Sequence, residues 1–441
     1  MTQHTRRQRI AIIGSGIAGL AASWSLGSRH DVSLFEKDAR IGGHSNTVDI
    51  DHDGAPMAVD TGFIVYNELN YPNLTALFAL LGVTTEASNM GFAVSLDRGR
   101  LEWSGDSLKT LFAQRRNLLR PSFHAMWIDI LRFNRFARSD LGNGSLQGVS
   151  LGAWLDARNL GASFRENYLL PMGAAIWSTP ADSMLDFPAA SFLAFFANHK
   201  LIDFDRPQWR TVSGGSREYV RKLVAATQAT IRVSSPVQKV LRDDQGVTLA
   251  FDGHAERFDQ VIFSCHSDQA LRLLAEPSFG ERKMLGAVRY APNVAWLHRD
   301  LSLMPKRRSV WAAWNYLRTT GQQAGQPVAV SYWMNRLQNL DPARPVFVTL
   351  NPERPPAPEM TFARFDYDHP QFDQAALDAQ SQLHEIQGER GTWFCGAWCG
   401  HGFHEDGLTG GLEIGRALGG QTLAHGIARP RIFTSLAQAA E

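Results

Sequence analysis

The stretch that decides the fold is IAIIGSGIAGLAASWSLG, residues 10–27. Its first residues, Ile10–Ile13, form an apolar run of the length that predicts a buried parallel strand. Gly14, Gly16 and Gly19 follow in the spacing GxGxxG and lead into a predicted helix. A glycine-rich turn between a buried strand and a helix predicts a site where the helix N-terminus binds the pyrophosphate of a dinucleotide.

Each glycine of this turn has its own expected role. Gly14 allows the tight turn, Gly16 lets the backbone approach the pyrophosphate, and Gly19 lets the helix pack closely on the strand. A second apolar strand, Val32–Phe35, ends in Glu36, which lies 22 residues after Gly14. That is close to the spacing of roughly 20 residues at which an acid binds a ribose hydroxyl. The acidic side chain of Glu36 disfavours a 2′-phosphate, so NADP is the least expected dinucleotide. The alternative is a glycine-rich turn in an ordinary βαβ unit.

Length and composition limit the class of protein. A chain of 441 residues predicts two or three compact units. The net charge of +1 gives no reason to expect a nucleic-acid partner. Three cysteines, Cys265, Cys395 and Cys399, are too few for a disulfide framework, so we expect a reducing, cytoplasmic compartment.

A second glycine pair follows the second strand. The residues after Glu36 read KDARIGGH, and Arg40 can donate two hydrogen bonds to a phosphate. Together with the first turn, the pattern E-K-x-x-R-x-G-G resembles the flavoprotein superfamily of amine oxidases, phytoene desaturases and protoporphyrinogen oxidases. The resemblance implies that the cofactor is FAD rather than NAD.

The resemblance also implies which residues hold the cofactor. They lie in the two glycine loops, in a turn near residue 62, at the start of a later strand and in a closing strand-loop-helix. The expected cofactor-binding residues are Gly14, Ser15, Gly16, Ile17, Ala18, Gly19, Glu36, Lys37, Arg40, Gly42, Gly43, His44, Gly62, Val237, Gly396, Glu405, Asp406, Gly407 and Leu408.

The closing stretch is residues 393–413, WFCGAWCGHGFHEDGLTGGLE. In the superfamily such a strand-loop-helix binds the ribityl chain and the pyrimidine end of FAD. The acid that usually follows the strand glycine is absent, because Ala397 and Trp398 occupy its place. We therefore expect Glu405 or Asp406 to supply the ribityl contact, with plain capping of the helix as the alternative.

The same stretch also permits a metal site as an alternative. Cys395, Cys399, His401 and His404 lie within ten residues. Zinc sites usually have a longer spacer between their two ligand pairs. We therefore expect no metal.

Catalytic groups are predicted only from the loops expected near the flavin. His404 and Glu405 are the predicted catalytic residues, and His44 and Tyr66 are further candidates for the base. Asp60 lies in an acidic turn that passes near the flavin in the superfamily. Each of these side chains could equally be a hydrogen-bonded structural group or a turn-former.

Four stretches resemble a narrower family. They are EKDARIGGHSNT at 36–47, LPMGAAIWS at 170–178, YDHPQFD at 367–373 and FCGAWCGHGFHEDGL at 394–408. The family comprises bacterial FAD-dependent oxidoreductases associated with cyclopropane fatty-acid synthase-like methyltransferases, including the desaturase of the methylated and furan fatty-acid pathway. The resemblance implies dehydrogenation of a methyl-branched fatty acyl chain by hydride transfer to the flavin. The alternatives are a flavin amine oxidase, or a flavin-bearing partner subunit of a lipid methyltransferase without turnover.

The remaining stretches bear on partners. The apolar segments 169–178 and 187–202 could line a channel for a long hydrophobic substrate, with core helices as the alternative. Residues 108–136 are amphipathic and basic, which suits either a membrane-surface contact or a solvated helical pair. The expected partners are thus an apolar acyl-lipid substrate, a lipid methyltransferase and the inner face of the membrane, with no nucleic acid.

The predicted fold is α/β, with a discontinuous Rossmann-like FAD-binding domain and a mixed α+β substrate domain like that of amine oxidases. Residues 1–65, 205–270 and 390–425 are expected to form the FAD-binding domain. Residues 66–204 and 271–389 are expected to form the substrate domain.

Overall fold

The computed structural model describes residues 6–142, 144, 146–203, 205, 207–319 and 328–433. Its strands are β1 Arg9–Ile13, β2 Asp31–Phe35, β3 Thr47–His52, β4 Ala55–Asp60, β5 Val65–Asn67, β6 Thr85–Ser88, β7 Phe92–Leu96, β8 Leu101–Ser104, β9 Trp209–Val212, β10 Thr230–Arg232, β11 Lys239–Asp243, β12 Gly246–Ala250, β13 Ala255–Phe258, β14 Gln260–Phe263, β15 Arg289–His298, β16 Trp314–Arg318, β17 Ala329–Trp333, β18 Phe347–Leu350, β19 Thr361–Gln371 and β20 Thr392–Phe394. Its α-helices are α1 Ile17–Leu26, α2 Pro72–Leu81, α3 Leu108–Leu111, α4 Pro121–Leu141, α5 Leu151–Ala157, α6 Ala162–Phe164, α7 Leu170–Trp177, α8 Ala189–Asn198, α9 Arg217–Ala226, α10 Ser267–Leu273, α11 Phe279–Ala287, α12 Met334–Leu337, α13 Gln374–Ser381 and α14 His404–Ala417.

A parallel five-stranded sheet in the order β10-β2-β1-β14-β20 carries the glycine-rich turn. Its strands come from three distant parts of the chain, so the sheet is discontinuous in sequence. Strand β1 lies at its centre and is paired on both edges, and its residues Ile10 to Ile13 are buried, as in sheets covered on both faces. The α/β fold expected from the sequence is confirmed.

Helices α1 and α14 pack against each other beside this sheet. The contact depends on small residues, since a Cβ at Gly411 would clash with the carbonyl of Ala18 and one at Gly415 would clash with Ser25. Close packing of the two helices places both of their N-termini at the same end of the parallel sheet.

A mixed seven-stranded sheet forms the centre of the other half, in the order β19-β15-β18-β17-β16-β7-β8. Only the β16–β7 pair in it is parallel. Helices α4 to α8 and this sheet share a second apolar core rich in phenylalanine. Smaller sheets, β3-β4, β5-β9-β6 and β11-β12-β13, complete the described strands.

The sequence prediction differs from the structure in three places. The sequence of residues 257–263 predicts one strand, but the structure has two, β13 and β14, because Asp259 turns the chain and its backbone and carboxylate bond to Arg9. The amphipathic stretch 108–136 is divided into α3, a 3-10 turn at Arg115–Leu119 and α4, which Pro121 opens. Val237 lies just before β11 rather than within it.

No helix in the described ranges combines the length and apolar character needed to cross a bilayer.

Candidate functional site

A cavity of about 1450 Å³ lies between the parallel sheet and the seven-stranded sheet, and both sheets supply its walls. Pockets for a single small ligand have volumes of roughly 300–1000 Å³, so this cavity has room for a large cofactor and a second molecule. Its cofactor end is lined by the carboxyl ends of β1, β2 and β14 and by the loops after them. Ligands in open α/β sheets bind at this position.

The first glycine turn has the geometry that a pyrophosphate requires. Gly14 has φ +106°, and its N–H donates to the carbonyl of Phe35 at 2.8 Å. A Cβ at Gly19 would clash with the carbonyl of Gly14, so this glycine allows the helix to sit on the turn. Gly16 lines the cavity and has no atom within 4 Å of the position of a Cβ. The empty space above Gly16 lies at the N-terminus of α1, where an anion is favoured.

Ser15 and Glu36 join the two ends of this turn. The Glu36 carboxylate accepts the N–H of Ser15 at 3.0 Å and its hydroxyl at 2.6 Å on one oxygen. The other oxygen accepts the N–H of Asp38 at 3.0 Å and retains capacity for one more donor. Glu36 is buried at the wall of the cavity, so this free capacity suits a ribose hydroxyl.

Arg40 uses its guanidinium on its own loop. It donates to the carbonyl of Gly43 at 2.7 Å and to that of Ser45 at 2.9 Å. These bonds hold the second glycine loop closed, and Arg40 also lines the cavity, so its contact with a phosphate stays a prediction. Lys37 is an exposed residue paired with Asp38 at 3.1 Å.

The two glycine loops are joined by the backbone. The N–H of Gly42 donates to the carbonyl of Ser15 at 3.1 Å, and Gly42 has φ +115°. Gly42 is absent from the cavity wall, whereas Gly43 forms part of it. The role of Gly42 is thus to bring the second loop against the first.

The remaining predicted residues on the wall come from four loops. Ile17 and Ala18 begin α1, Gly62 follows β4, Val237 precedes β11, and Gly396 and Gly407 flank the closing loop. All of them line the cavity: Ile17, Ala18, Gly62, Val237, Gly396 and Gly407. Trp398, which replaces the usual acid, also lines it, and its indole N–H donates to the carbonyl of Cys265 at 3.1 Å.

His404 lines the cavity between the glycine turns and the wall formed by the seven-stranded sheet, a region called here the junction. Its ring stacks on Phe63 with centroids 3.9 Å apart, and its Nε2 lies 2.6 Å from the hydroxyl of Tyr219. Burial lowers the pKa of His404 to about 3, so the imidazole is neutral at pH 7. His404 therefore borders the reacting space as a neutral group, and its catalytic role stays a prediction.

His44 belongs to a cluster of rings on the same wall. It stacks on Tyr367 at 5.0 Å and lies 5.6 Å from His369 and 6.5 Å from His266. Burial and then the neighbouring histidines lower the pKa of His44 well below its usual value. The sequence indicated His44 but gave no signal for His266, and His369 was visible only within the motif YDHPQFD.

Glu405 and Asp406 require a correction, because both turn away from the cavity. The Glu405 carboxylate accepts the N–H groups of Asn73 at 2.8 Å and Leu74 at 3.0 Å, and so caps the N-terminus of α2. Asp406 accepts the N–H groups of His401 and Phe403 and caps α14 itself. The expected catalytic and ribityl contacts of these side chains are replaced by helix capping.

Three further candidates are also structural. The side chain of Leu408 is fully buried in the core of the parallel sheet, away from the cavity wall. The hydroxyl of Tyr66 donates to Thr85 at 3.3 Å, outside the cavity wall. Asp60 is buried, accepts from Ser216 and Thr47, and thereby ties α9 to the β3-β4 hairpin.

Glu405→Gln is expected to lower the free energy of unfolding by about 1–2 kcal/mol, because one capped N–H would face an amide donor. FAD affinity should stay at the wild-type value, since the side chain does not reach the cavity. Chemical denaturation and FAD titration measure the two effects, with Glu385→Gln at an exposed position as the control. Weaker FAD binding at unchanged stability would restore the cofactor role.

The cysteines of the closing stretch are buried. Cys395 and Cys399 lie in the core, and burial raises the pKa of both thiols. Within the described ranges, no group of three or more His, Cys, Asp or Glu side chains is arranged to hold a metal ion.

The part of the cavity beyond the glycine turns, called here the far half, has a mainly apolar wall with a few polar lining residues, among them Asn89, Gln208 and Arg336. Its wall comes from the seven-stranded sheet, from α7 and from the segments around β7 and β9, and includes Met90, Phe92, Met172, Ala175, Ile176, Leu201, Trp209, Trp314, Tyr332 and Leu350. Segment 169–178 was expected to line a channel, and part of it does. The other wall residues come together only through strand pairing. At the rim, the Asp106 carboxylate pairs with Arg336 at 2.8 Å.

Comparison with known proteins agrees with this architecture. The profile of the family described as "Flavin containing amine oxidoreductase" matches residues 17–299. Three solved structures are similar in fold. Putrescine oxidase bound to putrescine is 17% identical, covers 93% of this chain and 99% of its own, and has a TM-score of 0.64. The CLA-producing fatty acid isomerase from P. acnes is 14% identical, with coverages of 94% and 98% and a TM-score of 0.66. Cyclohexylamine oxidase from Brevibacterium oxydans is 15% identical, with coverages of 93% and 98% and a TM-score of 0.63.

Proposed function

The chain belongs to the flavin containing amine oxidoreductase family and is an FAD-dependent oxidoreductase, and from this premise we propose that it dehydrogenates a methyl-branched fatty acyl chain. The observation that carries the proposal is the apolar far half of the cavity, which adjoins the cofactor end. An acyl chain offers no polar groups along most of its length, so it gains affinity only from such a surface.

The residues at the cofactor end fit FAD. The open space above Gly16 at the N-terminus of α1 matches a pyrophosphate, and the free acceptor capacity of Glu36 matches a ribose hydroxyl. When bound, FAD supplies the two-electron oxidation that amino-acid side chains cannot perform. The chain's own part is to hold the acyl chain, to exclude water and to present neutral rings at the junction.

His44 and His404 are the titratable groups that we place at this junction. Burial keeps both imidazoles neutral, with the pKa of each lowered, so each presents an uncharged ring rather than a cation to the substrate. Tyr219 fixes the Nε2 side of His404 through a hydrogen bond of 2.6 Å. A neutral, apolar junction suits an uncharged carbon chain better than an ammonium group.

Amine oxidation is the second candidate, and the aromatic wall favours it. The rings of Trp314 and Tyr332 meet at right angles with centroids 4.8 Å apart, and Phe63 and Tyr367 lie at the junction. Such faces attract organic cations. Putrescine oxidase and cyclohexylamine oxidase share this fold, as does the fatty acid isomerase.

The decisive experiment is anaerobic bleaching of the purified, FAD-loaded protein by a panel of compounds. Methyl-branched fatty acids and phospholipids that carry them are expected to bleach the flavin absorbance on the order of a hundredfold faster than straight-chain amines. Bleaching by amines alone would overturn the proposal in favour of amine oxidation. Bleaching by no compound, with turnover only after addition of a lipid methyltransferase, would favour the partner-subunit alternative.

Ile176→Asp should separate the two substrate classes. The carboxylate would stand in the apolar wall of the far half, so the affinity for an acyl chain is expected to fall by about tenfold or more. Binding of a cationic amine should stay equal or improve. Flavin-perturbation titrations measure both affinities, and Leu241→Asp on the exposed side of β11 is the matched control. Equal losses for acids and amines would contradict the placement of the acyl chain.

A further inference from the structure

Helices α3 and α4 and the turn Arg115–Leu119 between them expose large apolar side chains. The exposed fractions are 77% for Leu108, 51% for Leu118, 88% for Leu119, 59% for Ile128 and 56% for Leu131. Single exposed leucines are normal on a protein surface, but five large apolar side chains in one segment of 24 residues mark an interaction surface. We call residues 108–131 the docking segment.

The docking segment is held firmly on the protein. The ring of Phe112, after α3, packs on that of Phe123 in α4 with centroids 5.8 Å apart, and Phe123 is buried. The Nε2 atom of His124 bonds to the carbonyl of Leu118 at 2.8 Å, which fastens the turn to the first turn of α4. The exposed apolar side chains therefore stand on an ordered scaffold.

Positive charge accompanies these side chains. Residues 107–128 contain no Asp or Glu, whereas Lys109, Arg115, Arg116 and Arg120 lie within them. The pKa of the Arg120 guanidinium is lowered, by burial first and then by Arg116 and Arg100.

The acids within and beside the docking segment are already paired. Asp129 is bonded to Arg132 at 2.6 Å, and the buried Glu102 is bonded to Arg307 at 2.7 Å. The cations of the segment therefore have little negative charge beside them on the protein. An apolar surface surrounded by such cations matches an anionic lipid surface in both polarity and charge.

The docking segment adjoins the cavity. Asp106 lies on the cavity rim in its ion pair with Arg336, and Leu108 follows only two residues later. The chain therefore passes from the cavity wall at Asp106 into the docking segment within two residues.

We propose that the docking segment rests on an anionic phospholipid bilayer, with its apolar side chains among the upper acyl carbons and its cations at the headgroups. The bilayer would then present its own acyl chains at the cavity entrance. The choice of substrate rests on the proposed function, but binding to the bilayer does not, so the two can fail separately.

Vesicle flotation of the FAD-loaded protein tests the surface directly. Vesicles with about a third phosphatidylglycerol in phosphatidylcholine should carry the protein upward at low salt, and pure phosphatidylcholine vesicles should carry much less. Raising the salt should weaken the binding without abolishing it, because the apolar side chains contribute independently of charge. Equal binding to both kinds of vesicle, or to neither, would overturn the proposal.

Variants assign the binding to the segment. Leu119→Asp is expected to lower the vesicle partition coefficient by at least about tenfold. The double variant Arg115→Gln and Arg116→Gln should lower it by about fivefold for each charge. Leu80→Asp and Arg29→Gln, which change exposed residues outside the docking segment, are the matched controls and should bind as wild type. Unchanged binding by Leu119→Asp would contradict the proposal.

A depth probe separates the bilayer from a protein partner. Leu119→Cys can be labelled selectively with an environment-sensitive dye, because the native cysteines are buried or half-buried and burial raises the pKa of each thiol. Its emission should shift to the blue on addition of anionic vesicles, while dye on Leu80→Cys should not respond. A blue shift that instead follows protein concentration without lipid would show that a second copy of the chain covers the segment, and would overturn the proposal.

Discussion

Replacing Gly16 with valine is expected to abolish stable FAD binding while leaving the fold in place. No atom of the protein lies within 4 Å of the position that a Cβ on residue 16 would take, so the chain itself can accommodate the larger residue. The space that valine would fill belongs to the cavity at the N-terminus of α1. The pyrophosphate must approach the backbone at that point, so we expect the FAD dissociation constant to rise by at least about a hundredfold, equivalent to about 2.7 kcal/mol.

Gly19→Val is the informative contrast to Gly16→Val. A Cβ at Gly19 would clash with the carbonyl of Gly14 and with the Ser264 hydroxyl, so this variant should lose the fold itself. Circular dichroism and FAD titration distinguish the two variants. Normal FAD content in folded Gly16→Val would show that the first glycine turn does not bind the phosphates.

The sequence predicts correctly those features that depend on residues close together in the chain. The glycine spacing and the two flanking strands are set by neighbours within a few residues, and the predicted runs Ile10–Ile13 and Val32–Phe35 lie within β1 and β2. Hydrophobic periodicity and turn glycines carry such information directly. The α/β fold and the FAD cofactor followed from these local patterns together with the family resemblance.

Side-chain direction was not predictable in the same way. Glu405 was expected at the cofactor. Its two carboxylate oxygens instead accept the backbone N–H groups of Asn73 and Leu74, which lie more than 300 residues earlier in the chain. The first turn of α2 exposes N–H groups that need an acceptor, and the buried carboxylate supplies it. Nothing in the sequence around Glu405 indicates that a distant helix begins beside it.

The far wall of the cavity was missed for a related reason. Strands β7 and β16 pair in parallel although more than 200 residues separate them. Their aromatic side chains reach the cavity only because this pairing forms. The sequence of a single strand does not show which other segment its aromatic side chains meet.

The stability of the protein is expected to fall steeply as the pH drops below about 6.5. Burial lowers the pKa of His298, His369 and His401 to about 4 and that of His404 to about 3. Below the unfolded-state pKa of about 6.5 the unfolded chain binds protons that the folded chain does not. The stabilising contribution is therefore complete above about pH 6.5 and is lost as the pH falls towards 4.

Two buried carboxyl groups oppose this trend without reversing it. Burial raises the pKa of Asp60 to about 6 and that of Glu405 to about 7, so the folded state binds their protons more tightly than the unfolded state. Their contribution to stability grows as the pH falls through the same window. The histidines outnumber them, and each net proton changes the free energy of unfolding by about 1.4 kcal/mol per pH unit. For these groups together we expect a net loss of about 2 kcal/mol between about pH 6.5 and 5.5.

His298 offers the sharpest test, because its bonds fix its neutral form and it lies outside the cavity wall. Its Nδ1 accepts the N–H of Asp300 at 3.0 Å, so Nε2 carries the proton and donates to the hydroxyl of Thr349 at 2.7 Å. Protonation of Nδ1 would set two donors against each other in a fully buried site. His298→Gln should therefore cost stability at neutral pH but reduce the dependence of stability on pH by close to one proton.

Urea denaturation at saturating FAD, between about pH 7.5 and 5.5, measures this dependence. The control is His384→Gln, which changes an exposed residue away from these buried sites and should retain the wild-type slope. A wild-type protein equally stable at both ends of this range would contradict the argument as a whole. A His298→Gln slope equal to that of wild type would show that Nδ1 can be protonated in the folded state, through movement of the Asp300 backbone towards solvent.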